Sequence, residues 1–187
     1  MKAIQTLKEE HRLIERAIAA LEKAAKRLAA SEEMRPAFFL NAALFIRKYA
    51  DGCHHHKEED LLFTAMAAAG MPLDGGPLAV MLSEHVQGRE HTAAMQAAAE
   101  AWEKGDQNAR SVVAHNALGY ARLLVYHIQR EDGILYPMAE KAIQGQELIA
   151  LQAAFDQAVA AELEAGIHEK YLALVEVLEK ESIRKIA

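Results

Sequence analysis

The sequence contains little cysteine, proline or aromatic side chain. Of its 187 residues, 1 is cysteine, 4 are proline and 6% are aromatic. The single thiol, Cys53, excludes an internal disulfide framework, and a reducing cytoplasm is the default compartment for such a chain. Composition is 52% hydrophobic and rich in alanine, leucine and glutamate, with few β-branched runs. This composition favours an all-α protein with room for a real core.

A basic cluster and a long apolar run are also missing. The net charge of −6 and the absence of clustered lysine and arginine argue against nucleic acid or an anionic membrane surface as a partner. No apolar stretch is long enough to span a bilayer, and the first residues lead into a charged amphipathic helix rather than a signal peptide. We therefore expect a cytoplasmic protein without a nucleic-acid or membrane partner.

Apolar residues recur every three or four positions in four long segments, which is typical of bundle helices. The segments cover about residues 3–30, 36–69, 77–104 and 106–145, separated by turns rich in glycine and proline. The pattern predicts an antiparallel up-down four-helix bundle over residues 1–145. Residues 146–187 are predicted to form an additional C-terminal helical arm, with a break at Gly166, that packs on the bundle or on a partner. A homodimer formed through this arm is one expectation.

Two stretches repeat the same chemistry at the same spacing. They read HHHKEEDLLF at residues 54–63 and HIQREDGILYP at residues 127–137, and aligning His54 with His127 places Glu58 opposite Glu131. Residues i and i+4 lie on one face of a helix, so each stretch presents an imidazole and a carboxylate together. Each stretch is therefore a candidate half-site for a divalent metal.

Two further histidines, His11 and His85, interrupt otherwise apolar helix faces. His11 precedes His54 by 43 residues and His85 precedes His127 by 42, so the first two and the last two helices are predicted to be similar hairpins. A buried carboxylate costs several kcal/mol unless it is compensated, and a pair of cations would compensate both. Imidazole with carboxylate suits iron, manganese or zinc better than calcium. The competing interpretation is a set of hydrogen-bonded core histidines or solvated helix faces.

These histidines and acids, with LLF and ILYP following the acids, resemble a hemerythrin-like (HHE cation-binding) domain over about residues 1–145. The resemblance implies a four-helix bundle that holds two iron ions, bridged by two carboxylates and an oxo or hydroxo group. By this resemblance Glu58 and Glu131 would bridge the two iron ions. The metal ligands carried over are His11 and His54 on one iron, His85 and His127 on the other, and the bridging Glu58 and Glu131.

The sequence departs from the oxygen-carrying hemerythrins at two positions. Those proteins place a second histidine four residues after that of the third helix, where this chain has Arg89, and they use an aspartate at the position of Asp132 rather than Glu131. The pattern is more similar to hemerythrin-like proteins linked to iron sensing, to peroxide or nitric oxide chemistry and to repair of iron centres. Gly88, one turn from His85, is expected to leave space for a small ligand.

Some neighbouring residues compete for the same roles. The pair at positions 55 and 59 has the spacing of the pair at 54 and 58, but choosing it would put Lys48 and Asn41 on the buried stripe of the helix. We therefore predict His54 and Glu58 as the core pair and His56 as solvent-facing.

The other histidines and two tyrosines are expected to lie outside the ligand set. His91 and His115 are predicted to lie on the surface, and Tyr120 to supply a hydroxyl behind the ligands. His168 and Tyr171 of the arm could approach the metals if the arm folds over the bundle end, although a capping or interface role is favoured.

Two functions fit this pattern. The first is a non-haem di-iron protein that reacts with or senses a small molecule (O2, peroxide or NO), with zinc or manganese as alternative metals. The second is a sensing or iron-centre repair module without turnover, in which the arm presents the signal. The ferritin-like pattern Glu-x-x-His does not occur in the sequence, which argues against ferritin-like iron oxidation. The sequence shows no general acid and no pocket for an organic substrate, so no catalytic residue is predicted and enzyme activity is left open.

Overall fold

The structure, a computed structural model, describes residues 1–184 and contains six helices, with no strand in that range. It confirms the predicted all-α bundle. Helix α1 spans Lys2–Ala29, α2 residues 36–68, α3 Gly76–Glu103, α4 residues 109–142, α5 Gly145–Glu164 and α6 Ile167–Ile183. The last three residues of the predicted arm, 185–187, lie outside the described residues.

Proline and glycine mark the ends of several helices. Pro36 begins α2, and Pro77 lies in the first turn of α3, positions where the missing N–H of proline costs no helical hydrogen bond. Gly166, at the predicted break in the arm, separates α5 from α6 with a φ of 62°, a left-handed conformation that glycine adopts without strain. The breaks before α2 and α3 reverse the direction of the chain, whereas α6 continues in the direction of α5, so that both run alongside α1.

Two apolar clusters fill the bundle, one on each side of a layer of buried polar residues. Along α1 the chain passes from the first cluster at Ile4 and Leu7, through His11, to the second cluster at Ile14 and Ile18. Helix α3 runs in the same direction, while α2 and α4 cross the same layer in the opposite direction. The alternating direction is that of an up-down bundle, and it puts the polar residues of all four helices at one level.

The two C-terminal helices lie along the bundle. Phe155 of α5 is buried in the cluster that contains Leu7, while Tyr171 and Val175 of α6 are buried in the cluster on the other side of the polar layer. Arg16 of α1 donates two hydrogen bonds to Glu179 of α6. No helix in residues 1–184 is long and apolar enough to cross a membrane.

The core assignment predicts unequal effects of two truncations in α2. Phe39 is fully buried, whereas Leu44 is 43% exposed. We expect Phe39→Ala to lower the free energy of unfolding by about 3–5 kcal/mol, because it leaves a cavity in the core. Leu44→Ala, the control, should change it by about 0.5 kcal/mol or less. Urea unfolding at matched metal content measures both, and similar losses for the two variants would contradict this core.

Candidate metal centre

Both repeated stretches lie where their helices change from α to π hydrogen bonding. In α2 the π segments are Ile46–His55 and Lys57–Phe63, and in α4 the π segment is Glu131–Leu135. The i→i+5 bonds of a π segment put more residues into a turn than the 3.6 of an α-helix, and such segments are frequent at functional sites. The π segments therefore change which side chains face inward at the polar layer.

The structure places all six predicted ligands in that layer. Each is no more than 1% exposed. Their ligand atoms fall into two groups, each with its atoms within 4.8 Å of one another. The first group is His11, His54, Glu58 and Glu131, and the second is Glu58, His85, His127 and a histidine that was not predicted, His55.

Glu58 and Glu131 connect the two halves of the layer. Glu58 belongs to both groups, and its Oε2 lies 3.6 Å from Nε2 of His54 and 3.6 Å from Nε2 of His85. Glu131 lies 3.2 Å from Nε2 of His11 and 3.1 Å from Nε2 of His127. Each carboxylate thus faces one imidazole from each hairpin, which is the arrangement that two shared ligands of a metal pair need.

These carboxylates are buried without adequate hydrogen bonding. Oε2 of Glu58 and both oxygens of Glu131 accept no hydrogen bond of normal geometry from the residues that the structure describes. Burial, and then the charge of Glu131, raises the pKa of Glu58 well above its ordinary value. Burial would also raise the pKa of Glu131, but His127 and His11 outweigh it and hold that pKa low. The donor set therefore fits cations, which would supply the missing partners.

Each of the four predicted imidazoles is held from behind by a carboxylate. Because a carboxylate only accepts, Nδ1 donates this hydrogen bond, which turns Nε2 toward the layer; Nε2 is then the atom that can bind a cation once it has lost any proton it carries. The pairs are His11 with Asp132 at 2.9 Å, His54 with Glu10 at 2.9 Å, His85 with Glu59 at 2.6 Å and His127 with Glu84 at 2.9 Å. Orientation by an outer carboxylate is the usual support of a metal-bound histidine.

These outer carboxylates also follow the repeat in the sequence, although i, i+4 spacing alone does not assign them. Glu10 and Glu84 directly precede His11 and His85, yet each supports the histidine of the following helix. Glu59 and Asp132 directly follow the two central acids, and each supports a histidine of the other hairpin. The pattern follows the pseudo-twofold symmetry of the two hairpins.

Basic residues farther from the centre neutralise the outer carboxylates. The pairs are Arg12 with Asp132, Lys57 with Glu10, Arg89 with Glu59 and Arg130 with Glu84. Lys57 is only 1% exposed and also pairs with Glu162 of α5. Glu162 of α5 is therefore connected to the polar layer through two charged side chains, Lys57 and Glu10.

The hydroxyl at the layer comes from Tyr136 rather than from Tyr120. The Tyr136 hydroxyl donates a 2.6 Å hydrogen bond to Oε1 of Glu58 and lies 3.3 Å from Nε2 of His11. Tyr120 is buried, but its hydroxyl has no hydrogen-bond partner within residues 1–184. The prediction for Tyr120 followed α-helical periodicity alone.

The remaining candidates lie apart from the layer. His56 is exposed and pairs with Asp60, and His115 is exposed, whereas His91 is half-buried against Gly119. His168 is exposed, and Tyr171 packs in the core beside Phe45. Neither belongs to the two groups of clustered donors.

A cavity of about 450 Å³ reaches the layer between α2 and α3. Its inner end is formed by His55 and His85, and Gly88 lies on its wall as expected. Burial, together with the nearby His85, lowers the pKa of His55 to about 3, so this imidazole is neutral at physiological pH. The sequence had shown no such pocket, because its lining residues are spread over three helices.

Comparison with known proteins agrees with this geometry. The family model of the hemerythrin HHE cation binding domain matches residues 2–139. Uncharacterized proteins of Mycobacterium bovis and Mycobacterium tuberculosis are 28% identical over 155 residues, which is 82% of this chain. The chain spans about 60% of the length of these relatives. No solved structure matches the chain with significance.

The outer carboxylates should matter for metal affinity. We expect Glu84→Gln to weaken metal binding by about 10–100-fold, because the neutral amide is a weaker acceptor for Nδ1 of His127 than the carboxylate that orients the ring and raises its basicity. Glu90→Gln, an exposed change on the same helix, is the control. Competition between the protein and a chelator for Fe²⁺, without oxygen, measures both affinities. Equal affinities for the two variants would contradict the supporting role of Glu84.

Metal binding should release protons. Burial lowers the pKa of His11, but Asp132 and Glu131 outweigh it and raise that pKa to about 9; Glu131 and Glu84 likewise raise the pKa of His127 to about 10. Both imidazoles of the metal-free protein are therefore protonated at pH 7 and must lose a proton to bind a cation. Affinity should rise with pH and level off above about pH 10. Calorimetry in two buffers of different ionisation enthalpy should detect at least two released protons, since Glu58, whose pKa is also raised, adds to the two imidazoles; no release would contradict this prediction.

Proposed function

The chain belongs to the hemerythrin HHE cation-binding family, and we propose that it is a non-haem di-iron protein that reacts with a small molecule. The observation that carries the proposal is the position of two fully buried carboxylates, Glu58 and Glu131, between two sets of imidazole nitrogens. His11 and His54 would hold one ion, and His85 and His127 the other.

The donor set suits iron and argues against calcium. Imidazole nitrogen with carboxylate oxygen suits iron, manganese and zinc, whereas calcium prefers oxygen ligands alone. The only thiol, Cys53, bonds to the backbone carbonyl of Lys48, and burial raises its pKa to about 11. This environment does not favour the thiolate as a ligand. Ferrous ions, once bound, would supply electrons to O2, peroxide or NO.

The cavity supports reaction with a molecule that comes from solvent. A closed structural site has no need of an access path, whereas His55 and His85 of this layer line a cavity of about 450 Å³ between α2 and α3. The wall carries the charged groups of Asp51 and Arg89, which are ion-paired with each other at 2.7 Å. A small neutral molecule such as peroxide or NO fits this path better than a highly charged one.

The Tyr136 phenol keeps its proton and lies at the end of the polar layer opposite the cavity. Burial, and then the charge of Glu58, raises the pKa of Tyr136 well above its ordinary value, so the phenol stays protonated. Its O–H group donates to Glu58 and thereby orients that carboxylate. Protein groups around the centre thus fix geometry, exclude bulk water and retain a proton.

One observation favours the second candidate function, sensing without turnover. Glu162 of α5 pairs with Lys57, which pairs with Glu10, and Glu10 holds the ring of His54. A change at the metal could therefore alter how the arm packs. A homodimer formed through the arm stays a prediction.

Loading the protein with iron under anaerobic conditions tests the proposal. We expect about two irons per chain and near-ultraviolet absorption that appears on exposure to air or peroxide. The variant Glu58→Ala should lose this spectrum, while Asp60→Asn, an exposed change nearby, should keep it. One tightly held zinc without a redox-linked spectrum would contradict the di-iron proposal.

A second measurement separates reaction from sensing. The di-iron protein should consume H2O2 or NO faster than an equal concentration of free iron. A metal-dependent change in protease cleavage of α5 without any turnover would instead favour the sensing function.

A further inference from the structure

We propose that His55 is a fifth imidazole ligand of this centre and binds the metal ion that His85 and His127 hold. The inference rests on the proposed metal pair. It adds a ligand that neither the helical periodicity nor the resemblance to the family assigned.

The ring of His55 lies inside the layer. The residue is 4% exposed, and one of its ring nitrogens lies within 4.8 Å of ligand atoms of Glu58, His85 and His127. Its ring stacks on that of His85, with centroids 3.9 Å apart and an interplanar angle of 12°, and meets His127 edge to face at 5.7 Å. A buried histidine in this position is close enough to join the second group of donors.

The surroundings of His55 repeat those of the four other imidazoles. Its Nδ1 faces Oδ1 of Asp51 at 3.4 Å, and Asp51 accepts a 2.7 Å hydrogen bond from Arg89. The other four histidines have the same arrangement, in which a carboxylate contacts the imidazole and a lysine or arginine contacts the carboxylate. The Nδ1 of His55 makes no hydrogen bond of normal geometry with the described part of the chain, so the ring is held less tightly than the others.

The π segment explains how two consecutive residues, His54 and His55, can each bind a different metal ion. His54 and His55 end the segment Ile46–His55, and both are buried, one in each group of donors. On a regular α-helix successive side chains point about 100° apart, which would turn one of them away from the layer. The wider turn brings both inward.

Arg89 provides a second argument. Its guanidinium binds both Asp51 and Glu59, the carboxylates behind His55 and His85, so one side chain supports the two imidazoles together. With His55 as a ligand, the two ions would be unequal, with two imidazoles on one and three on the other.

Replacing His55 tests the proposal, with exposed His56 as the matched control. We expect His55→Ala to weaken binding of the second iron at least tenfold and His56→Ala to leave both irons unchanged. Iron content and chelator competition give the affinities. Pulsed EPR of the half-reduced protein should show one fewer coordinated imidazole nitrogen in His55→Ala, and added imidazole should restore the lost signal.

The outcomes separate this inference from the proposed function. If the unaltered protein does not bind two irons, the di-iron proposal fails and this inference fails with it. If it binds two irons and His55→Ala keeps both with an unchanged nitrogen signal, only the inference is overturned. If His55→Ala does not fold, the number of coordinated imidazole nitrogens in the unaltered protein decides instead: five support the inference, and four overturn it.

Discussion

The burial of two carboxylates at the middle of a helical bundle is the constraint on which the rest of the structure depends. Glu58 and Glu131 are removed from water, and an uncompensated carboxylate in that environment costs several kcal/mol. Charges around them alternate in sign from the centre outward: imidazoles that can bind cations, then carboxylates, then lysine and arginine. Each set of charges compensates the set inside it. The residues that offset the free-energy cost of burying the two carboxylates therefore come from all four helices of the bundle.

The same arrangement divides the hydrophobic core. Apolar clusters lie above and below the polar layer, and the arm contributes to both, with Phe155 in one and Tyr171 in the other. Helix α5 also reaches the polar layer through Glu162 and the buried Lys57. The arm therefore contributes to packing and to the electrostatics of the site, which are often separate functions in an appended segment.

Much of this could be predicted from the sequence, because bundle helices and metal half-sites both follow local spacing. The i, i+4 pairs and the interrupted apolar faces predicted six residues that the structure places in one layer. His55 was missed because the argument from Lys48 and Asn41 assumed α-helical phase, which the π segment changes. From local sequence alone, the lysine at position 57 would be expected to face solvent. Its burial depends on ion pairs with Glu10 and Glu162, which come from distant parts of the chain. Interactions set by tertiary contact have no local signature.

The exchange of outer carboxylates between the hairpins ties the site to the packing of the whole bundle. Asp132 of the second hairpin orients His11 of the first, and Glu59 of the first orients His85 of the second. Each hairpin alone therefore lacks the acceptor for one of its own rings. The imidazoles reach their orientation only when both hairpins are packed together, so a change that loosens one hairpin also disturbs a ligand on the other.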